Sequence, residues 1–271
     1  RDPLPEPESM TVPDGLVSDA VPTLADLGVE AKVADARGVL PFKGGATAAW
    51  ERLDHYFWDT KKLRVYKKTR NGLLGADYSS KFSPWLALGC ISPREIHAQV
   101  RAFEKEVEKN EDTYWLIFEL IWRDYFRYVA MRYGNRIFHK RGIKEASPKW
   151  RQDRRVFEAW CEGRTQCDFV NANMRELSAT GFMSNRGRQN VASYLVHDLG
   201  VDWRLGASWF EHLLLDHDPA SNYGNWIYVA GVGNDPRPNR KFNTAGQAER
   251  YDTDGKYRRH WSHATLELDL Q

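Results

Sequence analysis

Cysteine is scarce in this chain: Cys90, Cys161 and Cys167 are the only three in 271 residues, and no two form a CxxC pair. An odd number that cannot all pair internally fits an intracellular, reducing compartment and argues against a zinc site, so no metal is expected. Long apolar runs are missing too. None approaches the roughly 20 residues a spanning helix needs, and nothing in the sequence calls for a membrane partner. A GxSxG elbow, an HExxH pair and a P-loop are all lacking, which removes the common hydrolase and nucleotide-hydrolysing readings. The fragment GVGNDP (231–236) lacks the third glycine of a dinucleotide fingerprint, and Pro236 interrupts the helix that should follow. Alternating strand patterns and internal repeats are also absent. What remains is helical periodicity, which predicts an all-α body with long functional loops.

Aromatic residues are plentiful at 13%, with 11 Trp, so stacking or redox roles stand beside ordinary core packing. The net charge is only +2, but it is unevenly placed. Residues 1–35 hold eight acids and two bases, leaving +8 on the remainder, and a basic body is a plausible host for a polyanion. Pro3, Pro5, Pro7, Pro13, Pro22 and Pro41 mark residues 1–45 as an extended acidic linker that wraps the body or joins it to something upstream. The chain starts with Arg1 rather than Met, as a piece of a longer product would. Residues 46–261 form the expected folded domain, and 262–271 a polar tail.

Helical patterning begins near Ala46. Asn71 to Ser83 is too rich in Gly and Ser for a helix, and Pro84 suits a first helical turn. Ser92, Pro93 and Glu95 spell a capping box. Asp112 opens the strongest helix, which Gly134 ends. Further helices are expected over 154–162, 168–179, 185–199 and 204–215. Beyond Leu215 the pattern predicts an Asp/Asn-rich turn, because Pro219 disfavours helix continuation, and irregular chain after Trp226.

Several constellations could carry chemistry. Ser79, Ser80, Lys81, Phe82 and Ser83 set hydroxyls and amides beside a helix start, which suits phosphate oxygens or simple capping. Glu119 and Trp122 share a helix face, with Arg123 one turn from Glu119, where a surface Glu–Arg pair is the ordinary expectation. Asn185 and Gln189 share another face, with Arg188 alongside. An Arg among Asp216, Asp218 and Asn222 makes either a structural ion pair or part of a polar ring in a dry site.

KGGATAAWERL, SSKFSPWLALGCISPREI, FELIWRDYFR, TGFMSNRGRQNVASYLVHDLGVDWRLGASWF, DHDPASNYGNW and GNDPRPNRKFNTAGQAERYD together resemble the FAD-binding domain of photolyases and cryptochromes, nearest the DASH cryptochromes. The likeness runs in order over roughly residues 43–261. It implies a helical domain that binds FAD. Tyr66 and Ser79, Ser80, Lys81, Phe82 and Ser83 correspond to the loop around the FAD phosphates. Arg123, Asn185, Arg188, Asp216, His217 and Asp218 correspond to positions lining the flavin and ribityl chain, and Asn222 to the residue facing flavin N5. Trp226, Trp203 and Trp150 match a tryptophan triad that relays electrons to the flavin.

Glu119, Trp122, Asn185, Gln189 and Tyr228 match the rim of a cavity for a flipped-out pyrimidine dimer. Tyr228, where ordinary photolyases carry a second tryptophan, resembles members that favour single-stranded or looped DNA. The (6-4) photolyases carry two histidines where Asn185 and Gln189 stand, so (6-4) repair is not expected. Basic segments at 61–70, 135–155 and 237–241 could track a phosphate backbone. The resemblance implies a monomeric, light-driven DNA repair flavoprotein of DASH type. It leaves open RNA binding and a folate antenna chromophore, which only an upstream α/β domain would hold. The rival expectations are a blue-light receptor that uses the same FAD and triad without repair, and a flavin-free nucleic-acid-binding remnant.

Overall fold

The computed structural model describes residues 2–5, 9, 11, 13–15, 20–30, 33–144, 149–237 and 241–262. The expected polar tail beyond Ser262 lies outside them, as do the central residues of the basic segments 135–155 and 237–241. Among the described residues there is no β-strand, only an isolated bridge between Arg151 and Val201. The helices are α1 (Ala46–Asp54), α2 (Tyr66–Thr69), α3 (Ser83–Ala87), α4 (Pro93–Glu106), α5 (Glu111–Tyr133) and α6 (Arg154–Cys161). They continue with α7 (Asp168–Thr180), α8 (Asn185–Ser193), α9 (Trp203–Leu213), α10 (Pro219–Val229), α11 (Thr244–Tyr251) and α12 (Lys256–His260).

Local chemistry sets most of the boundaries. The capping box at Ser92 forms as expected, with Ser92 Oγ accepting from the Arg94 amide and the Ser92 amide donating to Glu95. α5 starts one residue ahead of Asp112, because Asn110 caps the Thr113 amide. Gly181 ends α7 in the left-handed region that glycine tolerates best.

Three expectations need correcting. The stretch after Leu215 is not a turn ending on a tryptophan, for Pro219–Val229 is a helix. Asp218 accepts from the Ser221 amide, and Pro219 occupies the first turn, where its missing N–H costs nothing. The chain after Trp226 is not irregular throughout, since Asn243 caps α11 and α12 follows. The helix expected over 185–199 is α-helical only to Ser193, then widens into a π-turn over Tyr194–Asp198.

α5 spans the body. Its N-terminal half (Leu116, Ile117, Leu120) packs with Leu53, Phe57, Phe82, Ile96 and Phe103 in one apolar cluster. Its C-terminal half reaches a second cluster through Val129, among Trp160, Leu195, Trp203, Phe210 and Trp226. Each fully buried Leu or Phe contributes about 1.5–3 kcal/mol. Two cores held on one helix leave a gap between them, and the functional site occupies that gap. Ahead of α1, Phe42 packs on Trp85 and Phe182 at ring-centre distances of 5.6 and 5.2 Å.

Candidate functional site: a two-lobed cavity between the cores

The gap is a cavity with two contiguous lobes of about 500 and 270 Å³. Together they fall in the 300–1,000 Å³ range of sites that bury a whole cofactor-sized molecule. α5 supplies Glu119, Trp122 and Arg123, α8 supplies Asn185, Arg188 and Gln189, and α10 supplies Ser221, Asn222, Trp226 and Tyr228. His217 and Asp218 come from the α9–α10 connection. The smaller lobe is walled by Tyr66, the Ser79, Ser80, Lys81, Phe82 and Ser83 run, and Phe182. Arg70, Glu119, Arg123, Asn185, Arg188, Asp216, Asp218 and Ser221 border both lobes. Of the residues singled out in the sequence, only Trp203 and Trp150 stand off the cavity wall. Trp203 is fully buried behind it, its indole donating to the Lys140 carbonyl, and Trp150 is half-buried.

The expected Glu119–Arg123 pair does not form. Glu119 accepts from the Trp115 indole at 3.1 Å and pairs with Arg70 at 2.8 Å. Burial pushes its carboxyl upward, against the pull of Arg70. Arg123 instead donates to the Leu86 carbonyl at 3.2 Å, and burial lowers its guanidinium pKa. Arg188 holds Asp216 at 2.8 Å, an ion pair set on the cavity wall. Burial works to raise the Asp218 carboxyl, but the Ser221 amide and Arg127 outweigh it and hold it low. Asn222 donates to the Ala207 carbonyl on α9, which fixes its amide.

Lys81 sits at φ +58°, the left-handed region, and is 4% exposed. Burial pushes its ammonium down to about 6, the neighbouring Arg52 adding to the effect. The carboxyl of Glu176, 1% exposed and hydrogen-bonded to the Tyr257 hydroxyl, is pushed up to about 7 by burial.

Sequence reading missed Arg70, Glu176, Phe182 and Ser221. Arg70 closes a basic stretch that reads as surface, yet its side chain is only 18% exposed. Glu176 lies on α7, outside the motifs, and no periodic signal marks it.

The wall also shows what the cavity is shaped to take. Asp216 Oδ1, Arg123 Nη1 and His217 Nδ1 are buried without a hydrogen-bond partner. Unsatisfied buried groups of this kind cost about 1–3 kcal/mol each, so they belong to a site whose ligand completes them. An acceptor, a cationic donor and an imidazole facing one apolar-floored lobe fit a polar heteroaromatic ring system. The hydroxyl-lined lobe with its buried lysine fits phosphates. Such a constellation fits the helical FAD-binding domain that the resemblance implies.

Comparison with known proteins places the chain within that class. A family model for the FAD binding domain of DNA photolyase matches residues 115–269. A cryptochrome DASH from Danio rerio is 59% identical over 92% of this chain and 48% of its own length. A cryptochrome DASH from Gloeobacter violaceus is 56% identical over 96% of this chain and 52% of its own. The crystal structure of a Synechocystis cryptochrome superposes with a TM-score of 0.87 at 53% identity, covering 91% of this chain and 50% of that one. A bacterial class III photolyase from Agrobacterium tumefaciens gives 0.81 at 31% identity, covering 93% and 52%. The chain belongs to the photolyase/cryptochrome family as its FAD-binding domain, and FAD is its cofactor. It spans about half the length of these relatives. No helix among the described residues is long and apolar enough to cross a membrane.

Proposed function

We propose that this domain repairs cyclobutane pyrimidine dimers in single-stranded or looped DNA. The observation that supports this reading most is the mouth of the larger lobe. There Trp122 and Tyr228 meet edge to face at 6.2 Å beside Glu119, an aromatic clamp next to a carboxyl group. Aromatic faces hold flipped bases by stacking, worth about 1–3 kcal/mol per base, and a tyrosine offers less surface than a second tryptophan. A duplex must lose pairing and stacking before its bases enter such a clamp; a loop or single strand has lost them already.

FAD, when bound and reduced, supplies a light-driven electron that opens the cyclobutane ring and then returns, so the reaction is redox-neutral. The protein's residues do the rest. Trp122 stacks on a base, and Tyr228, edge to face with Trp122, closes the side of the pocket. Glu119, its carboxyl raised by burial, hydrogen-bonds a base edge. Ser79, Ser80, Lys81 and Ser83 receive the cofactor phosphates with Tyr66 and Phe82 as apolar support. Arg188, Asp216, His217 and Asp218 would hold the cofactor rings, and Asn222 would offer them an amide that both donates and accepts. Asn185 and Gln189 line the rim. Trp226 on the cavity wall, the buried Trp203 and the half-buried Trp150 would relay the electrons that keep the flavin reduced.

The name cryptochrome carried by the relatives favours a second reading, a blue-light receptor that uses the same flavin without repair. One assay separates them. Reduced protein mixed with dimer-containing oligothymidine should remove dimers under blue light and not in the dark, single strands ahead of duplex. Glu119→Ala should lower the repair yield about 10- to 100-fold. No dimer loss under light, with flavin absorbance intact, would leave the receptor reading standing.

A further inference from the structure

Behind the cavity, α9 and α10 bring together two side chains, Glu211 and Tyr223, that neither the cofactor nor the substrate reading uses. Tyr223, on α10, sets its ring edge to face against Trp203 at 6.2 Å, the planes 80° apart. Its hydroxyl donates to Glu211 Oε2 at 2.7 Å. Phe138 packs on its other side at 4.7 Å. Trp203 itself is 0% exposed, so an oxidising equivalent that reaches it cannot be discharged directly to solvent. Glu211 is exposed and Tyr223 half-buried, so this pair lies between the sealed indole and water.

We propose that Tyr223 is a terminal electron donor to Trp203, with Glu211 as its proton acceptor. The proposal rests on the tryptophan relay of the preceding section. A bound, oxidised flavin would supply the light-driven oxidant; Trp226 would pass the demand on to Trp203, which would be left as a tryptophanyl radical cation. Tyr223 gives one electron to Trp203, restoring the neutral indole. Its O–H bond breaks at the same time, and the proton moves along the 2.7 Å hydrogen bond to the Glu211 carboxylate. The phenol becomes a neutral tyrosyl radical; no charge is left in the apolar core, and the proton passes on to water.

Two features favour this step. A phenol cannot be oxidised at low cost unless its proton has somewhere to go, and Glu211 is already bonded to it. Burial first, and then the neighbouring carboxylate, push the Tyr223 hydroxyl up to about 12, so its hydrogen is in place at neutral pH. A hydroxyl–carboxylate bond of this kind is also charge-assisted and geometrically fixed.

Flash photolysis with time-resolved EPR on the FAD-loaded protein tests it, with wild type, Tyr223→Phe, Glu211→Gln, Glu211→Asp, Trp150→Phe and Trp226→Phe compared. In wild type and Trp150→Phe a tryptophanyl signal should give way to a tyrosyl signal, more slowly in heavy water. Tyr223→Phe, which keeps the ring packing, should show no tyrosyl signal and a tryptophanyl radical living about tenfold longer or more. Glu211→Gln should slow the exchange similarly, because an amide cannot take the proton, and Glu211→Asp should restore it in part. A tyrosyl signal that survives Tyr223→Phe, or a wild-type tryptophanyl radical that never yields one, overturns the proposal while the relay stands. If no tryptophanyl radical forms, or if it survives Trp226→Phe, the relay fails and the proposal with it.

Discussion

Lys81 keeps its amino group where water hardly reaches, 3.1 Å above the Tyr78 ring and 3.5 Å from the Ser79 hydroxyl. Without a bound anion that position is costly, which is why burial drives its pKa down to about 6. An unfolded lysine holds its proton to 10.5, so between pH 6 and 10.5 the unfolded state binds more protons. The stability of the cofactor-free protein therefore rises with pH across that window. Glu176 works in the opposite sense. Its carboxyl is raised from 4.5 to about 7, the native state binds the extra proton, and stability falls as pH rises between those values. The cofactor-free protein should accordingly melt lowest near neutral pH in a thermal scan from pH 4.5 to 10, with Glu176→Gln flattening the acid side. Lys81→Met should flatten the alkaline side and raise Tm at pH 7 by about 4–8 °C per ~2 kcal/mol of relieved desolvation. The same variant should bind FAD at least about tenfold more weakly in a fluorescence titration, since a charge-assisted contact to phosphate is lost. Opposite signs in the two measurements would mark Lys81 as a ligand-binding group rather than a structural one.

The element that matters most is α10, which two glycines let approach its neighbours closely: Gly206 on α9 and its own Gly224, which faces α5. A Cβ on Gly206 would meet a Trp226 ring carbon at 2.2 Å, and one on Gly224 would meet Phe126 Cδ1 at 2.4 Å. Alanine gains up to about 1 kcal/mol in helix propensity over glycine. Overpacking against a buried ring that has no room to turn costs about 1–3 kcal/mol, so the clash wins. Gly206→Ala and Gly224→Ala should each lower the urea-unfolding free energy by roughly 1–2 kcal/mol, and Gly206→Ala should also lose bound flavin by displacing Trp226. These contacts explain why α10 is hard to see in the sequence. Its Gly, Pro and Asn content argues against a helix on propensity alone. The element exists because Asp218 caps it and because Trp226 packs on Phe210 of α9, with Ile227 buried in the same core. α5, by contrast, announces itself through length, a capped start and a glycine stop.

Across the whole molecule, the described part of the N-terminal segment through Val33 is exposed, with Val21 and Val33 at 89% and 91%. From Asp35 the segment docks: Arg37 lies over the Trp261 ring at 4.3 Å, and the Lys43 carbonyl accepts from the Trp85 indole at 2.8 Å. Removing residues 1–33 should leave Tm within about 2 °C and flavin content unchanged. Removing 1–44 should lower both, because Phe42 backs Phe182 on the cavity wall.

The sequence by itself determined the helical class, most helix boundaries, the absence of a spanning helix and the residues that ring the cavity. Periodicity, capping residues and ordered motifs are local and survive without the fold. Only the tertiary structure decided which partner each charge takes: Arg70 rather than Arg123 on Glu119, and Glu176 within the field of Lys81. It alone brought Tyr223 against Trp203. Burial and long-range contact set those choices, and neither is written in the spacing of residues along one chain.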